Sequence, residues 1–148
     1  MTDYIAREAD PKVNPPITSC SAGEVRAMQG EITLDSALAS GDTVRLGLVP
    51  EGHVPVDAVI DTDSLDSGSG IVLDVGDIDG NGNELIAGST VGQGGGLARM
   101  DEKGATRLSP ASGKAMNVGA TVTTGPGSGQ TPATVTMTVY YRRSRRGS

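Results

Sequence analysis

Asp77, Asp79, Asn81 and Gly82 follow the spacing of a calcium-binding loop. An EF-hand loop places oxygen ligands at positions 1, 3 and 5, glycine at position 6 and a bidentate glutamate at position 12, between two helices. With Asp77 as the first position, the twelfth is Gly88, and a strand-like alternation precedes the loop. Asp, Asn and Gly also favour turns. The stretch is therefore interpreted as a turn, and Asp77, Asp79 and Asn81 remain candidates for a weak metal site.

The single histidine and the single cysteine stand apart in the sequence. His53 precedes a Val-Pro pair with no nucleophile motif beside it, so we expect a histidine at the surface or in a turn. Cys20 lies between two serines and is interpreted as an inert thiol. One cysteine and one histidine do not make up a structural metal site.

Further acidic and glycine-rich stretches have simple interpretations. A Ser- and Gly-rich loop contains carboxylates that we expect to be solvated, namely Asp61, Asp63 and Asp66. The segment GQGGGLAR resembles a phosphate-binding loop but lacks the GK[ST] that such a loop requires. The chain is therefore predicted to bind no cofactor and to catalyse no reaction.

The composition predicts one domain with a thin core. The 148 residues are 36% apolar and include no Phe, no Trp and three Tyr, so Val, Leu, Ile, Ala and Met must fill the interior. The 22 glycines and eight prolines indicate many turns. A chain of this kind gains stability when it buries surface against copies of itself or against a partner.

Charge is distributed unevenly along the chain. The formal net charge is −6, although four arginines crowd the C-terminus at Arg142, Arg143, Arg145 and Arg146. The acidic body would repel phosphates, so nucleic acid is not an expected partner. The basic tail has two open interpretations, a contact with an acidic surface or a solvated terminus.

The sequence predicts neither a targeting signal nor a membrane span. The N-terminus has no apolar core of a signal peptide, and no apolar run approaches the roughly 20 residues that a bilayer requires. We therefore expect synthesis in a cytoplasm and no membrane partner.

Short segments of alternating apolar and polar residues begin at residue 23. Period-two alternation between turns predicts an all-β, jelly-roll-like β-sandwich of about eight strands, which we assign to residues 23–141. Residues 1–22 are interpreted as an extended N-terminal arm, because three prolines exclude a helix there. Residues 142–148 are interpreted as a basic C-terminal tail.

The alternation also predicts local features of the sandwich. It points Ile71, Leu73 and Val75 toward the core. The last two strands are expected to pair as an antiparallel hairpin, and the segment NELIAGS is expected to form one or two helical turns. Pro55 has no N–H to donate to a neighbouring strand, so it is expected at a sheet edge.

The order of these segments resembles that of the cement or decoration proteins of tailed bacteriophage heads. The resemblance covers residues 23–141 and rests on GDTVRLGLVPEGHVPVDAVIDTDSLDSGSGIVLDVGD, on ELIAGSTVGQGGGLAR and on the terminal strand ATVTMTVYY. It implies a structural β-sandwich on the outside of an icosahedral shell, in two or three copies around a symmetry axis, that bridges neighbouring capsid subunits.

The implied partners are the major capsid protein and further copies of the chain, on the exterior of a virion assembled in the host cytoplasm. Extended ends cover large surfaces, and repetition on a closed lattice makes weak contacts effective. We therefore predict that partner contacts come from both ends: Tyr4, Ile5, Val13, Pro15, Pro16, Ile17, Arg142, Arg143, Arg145 and Arg146.

Two other functions fit the same sequence. A neck or tail protein of the virion would also be an assembly β-domain. A carbohydrate-binding β-sandwich is the second alternative, but such sites stack sugars on exposed aromatic rings, and the chain has three tyrosines as its only aromatic residues of the Phe, Trp and Tyr class.

Overall fold

Nine β-strands make up the framework of the computed structural model, which describes residues 2–6, 10, 12, 24–108 and 114–144. Two short 3₁₀ helices, Val91–Gln93 and Ala105–Arg107, lie between strands. The strands are β1 (Asp3–Ile5), β2 (Val25–Leu34), β3 (Thr43–Val49), β4 (His53–Thr62), β5 (Val72–Asp77), β6 (Ile86–Ser89), β7 (Gly96–Arg99), β8 (Met116–Thr124) and β9 (Ala133–Arg143).

The strands form two facing sheets. One has four strands in the order β2-β9-β4-β7, and the other has five in the order β1-β3-β8-β5-β6. The pairs are antiparallel except that β1 lies parallel to β3. Strands β2 to β9 therefore divide into two sheets of four, and the predicted all-β, jelly-roll-like sandwich is confirmed, with β1 as an added ninth strand.

Aliphatic side chains fill the space between the sheets, as the alternation predicts. The inward residues of β5, β8 and β9 are each at most 2% exposed, and they are Leu73, Val75, Val118, Ala120, Val122, Val135, Met137 and Val139. Ile71, just before β5, is also fully buried. Full burial of one such side chain stabilises the fold by about 1.5–3 kcal/mol.

Two local predictions are wrong. The segment NELIAGS contains β6 rather than a helix, because Ile86 is buried while its backbone pairs with Val75 of β5. The last two strands are not a hairpin, because β8 belongs to the five-stranded sheet and β9 pairs with β2 and β4 in the other. Their apolar faces meet across the core instead of lying side by side.

Pro55 occupies the part of β4 that tolerates a missing N–H. Strand β4 lies between β9 and β7, but β7 pairs only with Val59 to Thr62. Pro55 is opposite Tyr141 of β9, and the register shifts between Pro55 and Asp57. On its other side Pro55 has no strand neighbour among the described residues, so this half of β4 is locally a sheet edge.

Strands extend into both of the terminal segments that were expected to lie outside the sandwich. Residues 3–5 form β1, where the Ala6 N–H donates to the Arg45 carbonyl at 2.7 Å and Ala6 itself is 1% exposed. The start of the expected arm is thus a strand of the sandwich. At the other end β9 continues through Arg143, so the first two residues of the expected tail, Arg142 and Arg143, belong to the sheet.

Candidate assembly surface

The Asp77 stretch is a turn that closes on itself. Asp77 ends β5, and its Oδ1 accepts the Asp79 N–H at 3.1 Å, while Asp79 Oδ2 accepts from Asn117 Nδ2 at 2.5 Å. Asn81 is exposed. Burial raises the pKa of Asp77, and the nearby Glu84 and Asp79 carboxylates raise it further. The Asp77 carboxylate therefore bonds within the turn, and the Asp79 carboxylate joins the turn to β8.

This turn lies over the outer face of the five-stranded sheet, and two paired glycines make room for it. Gly76 of β5 is opposite Gly119 of β8. A Cβ on Gly119 would lie 2.1 Å from the Val44 carbonyl oxygen of β3 and 2.5 Å from Ile78 Cδ1, and a Cβ on Gly76 would lie 2.6 Å from the Glu84 backbone nitrogen. Side chains at either position would displace the loop. The loop therefore covers the outer face of this sheet around Gly76 and Gly119.

Calcium should not bind at this turn. Within the described residues, no group of three or more His, Cys, Asp or Glu side chains is arranged to hold a metal ion. We expect no heat when millimolar calcium is titrated into the protein in a calorimeter, because Gly88 stands where an EF-hand has its glutamate, and the Asp77 and Asp79 carboxylates already accept bonds from the turn backbone and from Asn117 of β8. A saturable heat that Asp77→Asn removes would contradict this expectation.

His53 is buried, so the prediction of a surface position is wrong, although the residue does follow a turn. It begins β4 and is 5% exposed. Its Nδ1 lies 2.9 Å from the Glu51 carbonyl oxygen, and its ring meets Tyr141 edge to face at 5.6 Å between centroids. The contact with Tyr141 packs the end of β9 against the start of β4, which indicates a structural role.

Asp66 is the clearest departure from the expected solvated carboxylates. It is 0% exposed, whereas Asp61 and Asp63 are exposed. Backbone N–H groups from two loops donate to its carboxylate, those of Gly68, Gly70, Ile71, Gly127 and Ser128. These bonds hold the pKa of Asp66 well below its usual range, and the bond from the Ser128 N–H has the largest effect. Asp66 therefore joins the β4–β5 loop to the β8–β9 loop.

The predicted partner-binding residues are distributed over both ends of the chain. Tyr4 packs against the core, Ile5 beside it is 47% exposed, and Arg142 is half-buried while Arg143 is exposed. Asp3 of β1 forms an ion pair with Arg45 of β3 at 2.8 Å. The other predicted contacts lie outside the described residues, as does Cys20; they are Val13, Pro15, Pro16, Ile17, Arg145 and Arg146.

The outer face of the four-stranded sheet, which we call the Thr face, contains Thr134, Thr136 and Thr138 of β9. Thr33 Oγ1 lies 3.0 Å from Thr134 Oγ1, and Gln29 Nε2 donates to Thr138 Oγ1 at 3.2 Å. These hydrogen bonds join β2 to β9 on the outer face. The alternation of threonine and apolar residues in β9 predicts this outward face.

An ion pair crosses the Thr face between β4 and β7. Arg99 Nε lies 3.0 Å from Asp57 Oδ2, and Arg99 Nη2 lies 2.5 Å from the same oxygen. The hydrogen bond from Arg99 lowers the pKa of Asp57, and Asp57 in turn raises the pKa of Arg99. The pair joins the edge strand β7 to its neighbour, and since the Arg99 side chain is largely exposed, its contribution to stability is modest.

Comparison with solved structures finds this fold in phage capsids. A chain in the capsid of Ralstonia phage GP4 is 36% identical with a TM-score of 0.83, and the match covers 96% of this chain and 98% of that one. The protein belongs to a family of bacteriophage capsid proteins. No protein-family model and no curated protein sequence matches it.

Two further phage capsids contain the same fold as this phage capsid protein. A chain of the cyanophage Pam1 capsid has a TM-score of 0.70 at 20% identity, over 87% of this chain and 91% of that one. A chain of the capsid of Helicobacter pylori bacteriophage KHP30 has a TM-score of 0.57 at 11% identity, over 82% and 90%. At these identities the likeness concerns the fold alone.

Family membership makes the chain a structural component of a phage virion. The neighbours are capsid proteins, which build shells rather than catalyse reactions. In the described part of the chain, none of the helices has the length and apolar character needed to cross a bilayer.

Proposed function

We propose that this capsid protein is a cement or decoration protein that binds the outside of the icosahedral shell and bridges neighbouring capsid subunits. The observation that carries the proposal is the match to a chain of the Ralstonia phage GP4 capsid over nearly the whole of both chains. The two matched chains are therefore of similar length and share one sandwich fold. A domain of this size suits an addition to a shell built by a larger subunit.

Charge supports a position on the exterior. The chain carries a formal net charge of −6, and a lumen filled with packaged nucleic acid would repel it. On the outside of the shell the same charge favours solubility and does not oppose packaging. The arginines that end the chain supply local positive charge for contacts with acidic groups of the major capsid protein.

The ends of the sandwich supply the proposed contacts with the shell. Ile5 is exposed at the edge strand β1, and Arg143 is exposed at the end of β9. Single exposed contacts of this kind contribute about 1 kcal/mol or less. Repetition around a symmetry axis, in a dimer or trimer that contacts several subunits, would convert them into stable attachment.

Reconstitution on purified shells tests the proposal. The chain is added to particles that lack it, and the particles are imaged by cryo-electron microscopy. We expect ordered density at many equivalent positions over the outer surface of the head. A single ring at one vertex would assign the chain to the neck or tail instead, and density on the inner surface would contradict the proposed exterior position.

The carbohydrate-binding alternative has a separate readout. Purified protein is applied to a glycan array. The proposal predicts no binding above background, whereas selective binding that only the matching free sugar abolishes would favour the sugar-binding function.

A further inference from the structure

The turn after β5 contains two dipeptides of a reactive type, Asp79-Gly80 and Asn81-Gly82. In such a pair the backbone nitrogen of the glycine can attack the side-chain carbonyl carbon of the residue before it and close a five-membered succinimide ring. Glycine favours the attack, because it has no side chain to hinder the approach and its backbone rotates freely. The sequence leaves both pairs open to this reaction, and the structure distinguishes them.

Both reacting groups of Asp79-Gly80 are already engaged. The Gly80 N–H donates to the Asp77 carbonyl oxygen at 3.0 Å, so the attacking nitrogen is held away from the side chain. The Asp79 carboxylate accepts a bond from Asn117 Nδ2, and its Oδ1 lies 3.8 Å from Arg45 Nη2. Ring closure at this pair would have to break these contacts, so the fold protects it.

Both reacting groups of Asn81-Gly82 are free. Among the residues that the structure describes, neither the Asn81 side-chain amide nor the Gly82 N–H takes part in a hydrogen bond. Asn81 is exposed, whereas Gly82 is buried near Thr121 and has a φ of 80°. An unpaired N–H in a buried residue is costly, and ring closure removes that N–H. The fold therefore leaves this pair able to react.

We propose that Asn81 is a site of spontaneous deamidation. The Gly82 nitrogen bonds to Asn81 Cγ, the Cγ–Nδ2 bond breaks, and ammonia leaves with the proton of the Gly82 N–H. Water then adds to one of the two ring carbonyl carbons and opens the ring. Addition at Cγ gives aspartate, and addition at the backbone carbonyl carbon gives isoaspartate, in which the chain continues through the side chain. Because Asn81 is exposed, water reaches both carbons.

The modification changes the charge and the length of the turn. Either product adds a negative charge to a segment that already contains Asp77, Asp79 and Glu84. Isoaspartate also adds a carbon atom to the backbone of the loop that lies close over Gly76 and Gly119. A virion does not renew its proteins after assembly, so modified copies accumulate as the particle ages.

Mass spectrometry of stored protein tests the proposal. Purified protein is kept at physiological temperature in neutral and in mildly alkaline buffer and is then digested in acid, where ring closure is slow. We expect Asn81 to exchange its NH₂ group for OH, in two chromatographic forms, and to do so faster in the alkaline buffer because the attacking nitrogen must lose its proton. Asn83 is the internal control, since it is exposed in the same loop but is followed by Glu84, whose side chain hinders the attack.

Two matched variants connect the mass change to a change in charge. Stored wild-type protein should develop a more acidic band in isoelectric focusing. Asn81→Gln should remove that band, because the longer side chain closes a six-membered ring only slowly. Asn83→Gln should leave the band as it is in the wild type.

Storage in urea separates the effect of the fold from that of the dipeptide. In the unfolded chain the contacts of Asp79 and Gly80 are lost, so isoaspartate should form at Asp79 as well as at Asn81. The proposal holds if Asn81 in the folded protein is modified ahead of Asn83 and Asp79. It fails if Asn81 stays intact in the folded protein and reacts only in urea, or if Asn83 or Asp79 reacts first in the folded protein.

Discussion

Replacing Gly30 with alanine should unfold the domain or lower its melting temperature by roughly 10 °C or more. Gly30 lies in β2 of the four-stranded sheet, against Leu46 of β3 in the other sheet. A Cβ on Gly30 would lie 1.6 Å from the Leu46 carbonyl oxygen and 2.7 Å from its carbonyl carbon. Both are backbone atoms, so no rotation of a side chain relieves the overlap.

The surrounding contacts explain why the two strands lie so close. The register of β3 against β8 shifts between Arg45 and Gly47, which is a β-bulge at Leu46. Next to it, the Leu48 N–H donates to Met28 Sδ at 3.1 Å across the gap between the sheets. Separating β2 from β3 to admit a methyl group would break this bond and open one side of the core.

Thermal unfolding followed by circular dichroism measures the effect. Gly94→Ala is the matched control, because a Cβ on Gly94 meets no atom within 4 Å and its φ of −130° suits alanine. The control should change the melting temperature by no more than about 2 °C. If the Gly30 variant does not fold, its soluble yield against that of the control gives the comparison. Equal stability of the two variants would mean that the close approach is relieved at little cost.

Asp66→Asn should lower the melting temperature by about 10 °C at neutral pH. The Asp66 carboxylate is an acceptor at both oxygens, each 2.8–3.0 Å from backbone nitrogens of two loops. An asparagine amide would keep one acceptor and turn an NH₂ group toward the remaining N–H donors. Those donors would be buried without an acceptor, and the two loops would separate. Asp61→Asn, at an exposed carboxylate, is the control and should melt like the wild type.

The same residue makes stability depend on pH in acid. Because backbone N–H bonds hold the pKa of Asp66 below its usual range in the folded protein, the unfolded chain takes up the proton more readily. The stabilisation is therefore complete above the unfolded pKa of about 4 and is lost as pH falls below it. A plot of melting temperature against pH should fall less steeply below about pH 4 in Asp66→Asn than in the wild type. Parallel curves would show that other carboxylates control acid unfolding.

The alternation of apolar and polar residues along the sequence is sufficient to predict most of the long strands. In β5, β8 and β9, apolar residues at every second position predict both the strands and their inward faces, because a strand with one buried face requires that period. The long runs of Gly, Ser and Pro between strands predict the turns. A short segment contains too few residues to show this alternation. The sequence therefore predicts helical turns at β6, although its four residues form the edge strand of the five-stranded sheet.

The sequence by itself thus determined the class of fold and the inward and outward faces of its long strands. The tertiary structure alone decided that Asp66 is buried, that Gly30 touches Leu46, and that residues 3–5 form a strand beside β3. Each of these features joins segments far apart in the chain. Periodicity records only which way a side chain points from its own strand, whereas burial, close approach and pairing depend on which distant segment comes to lie opposite.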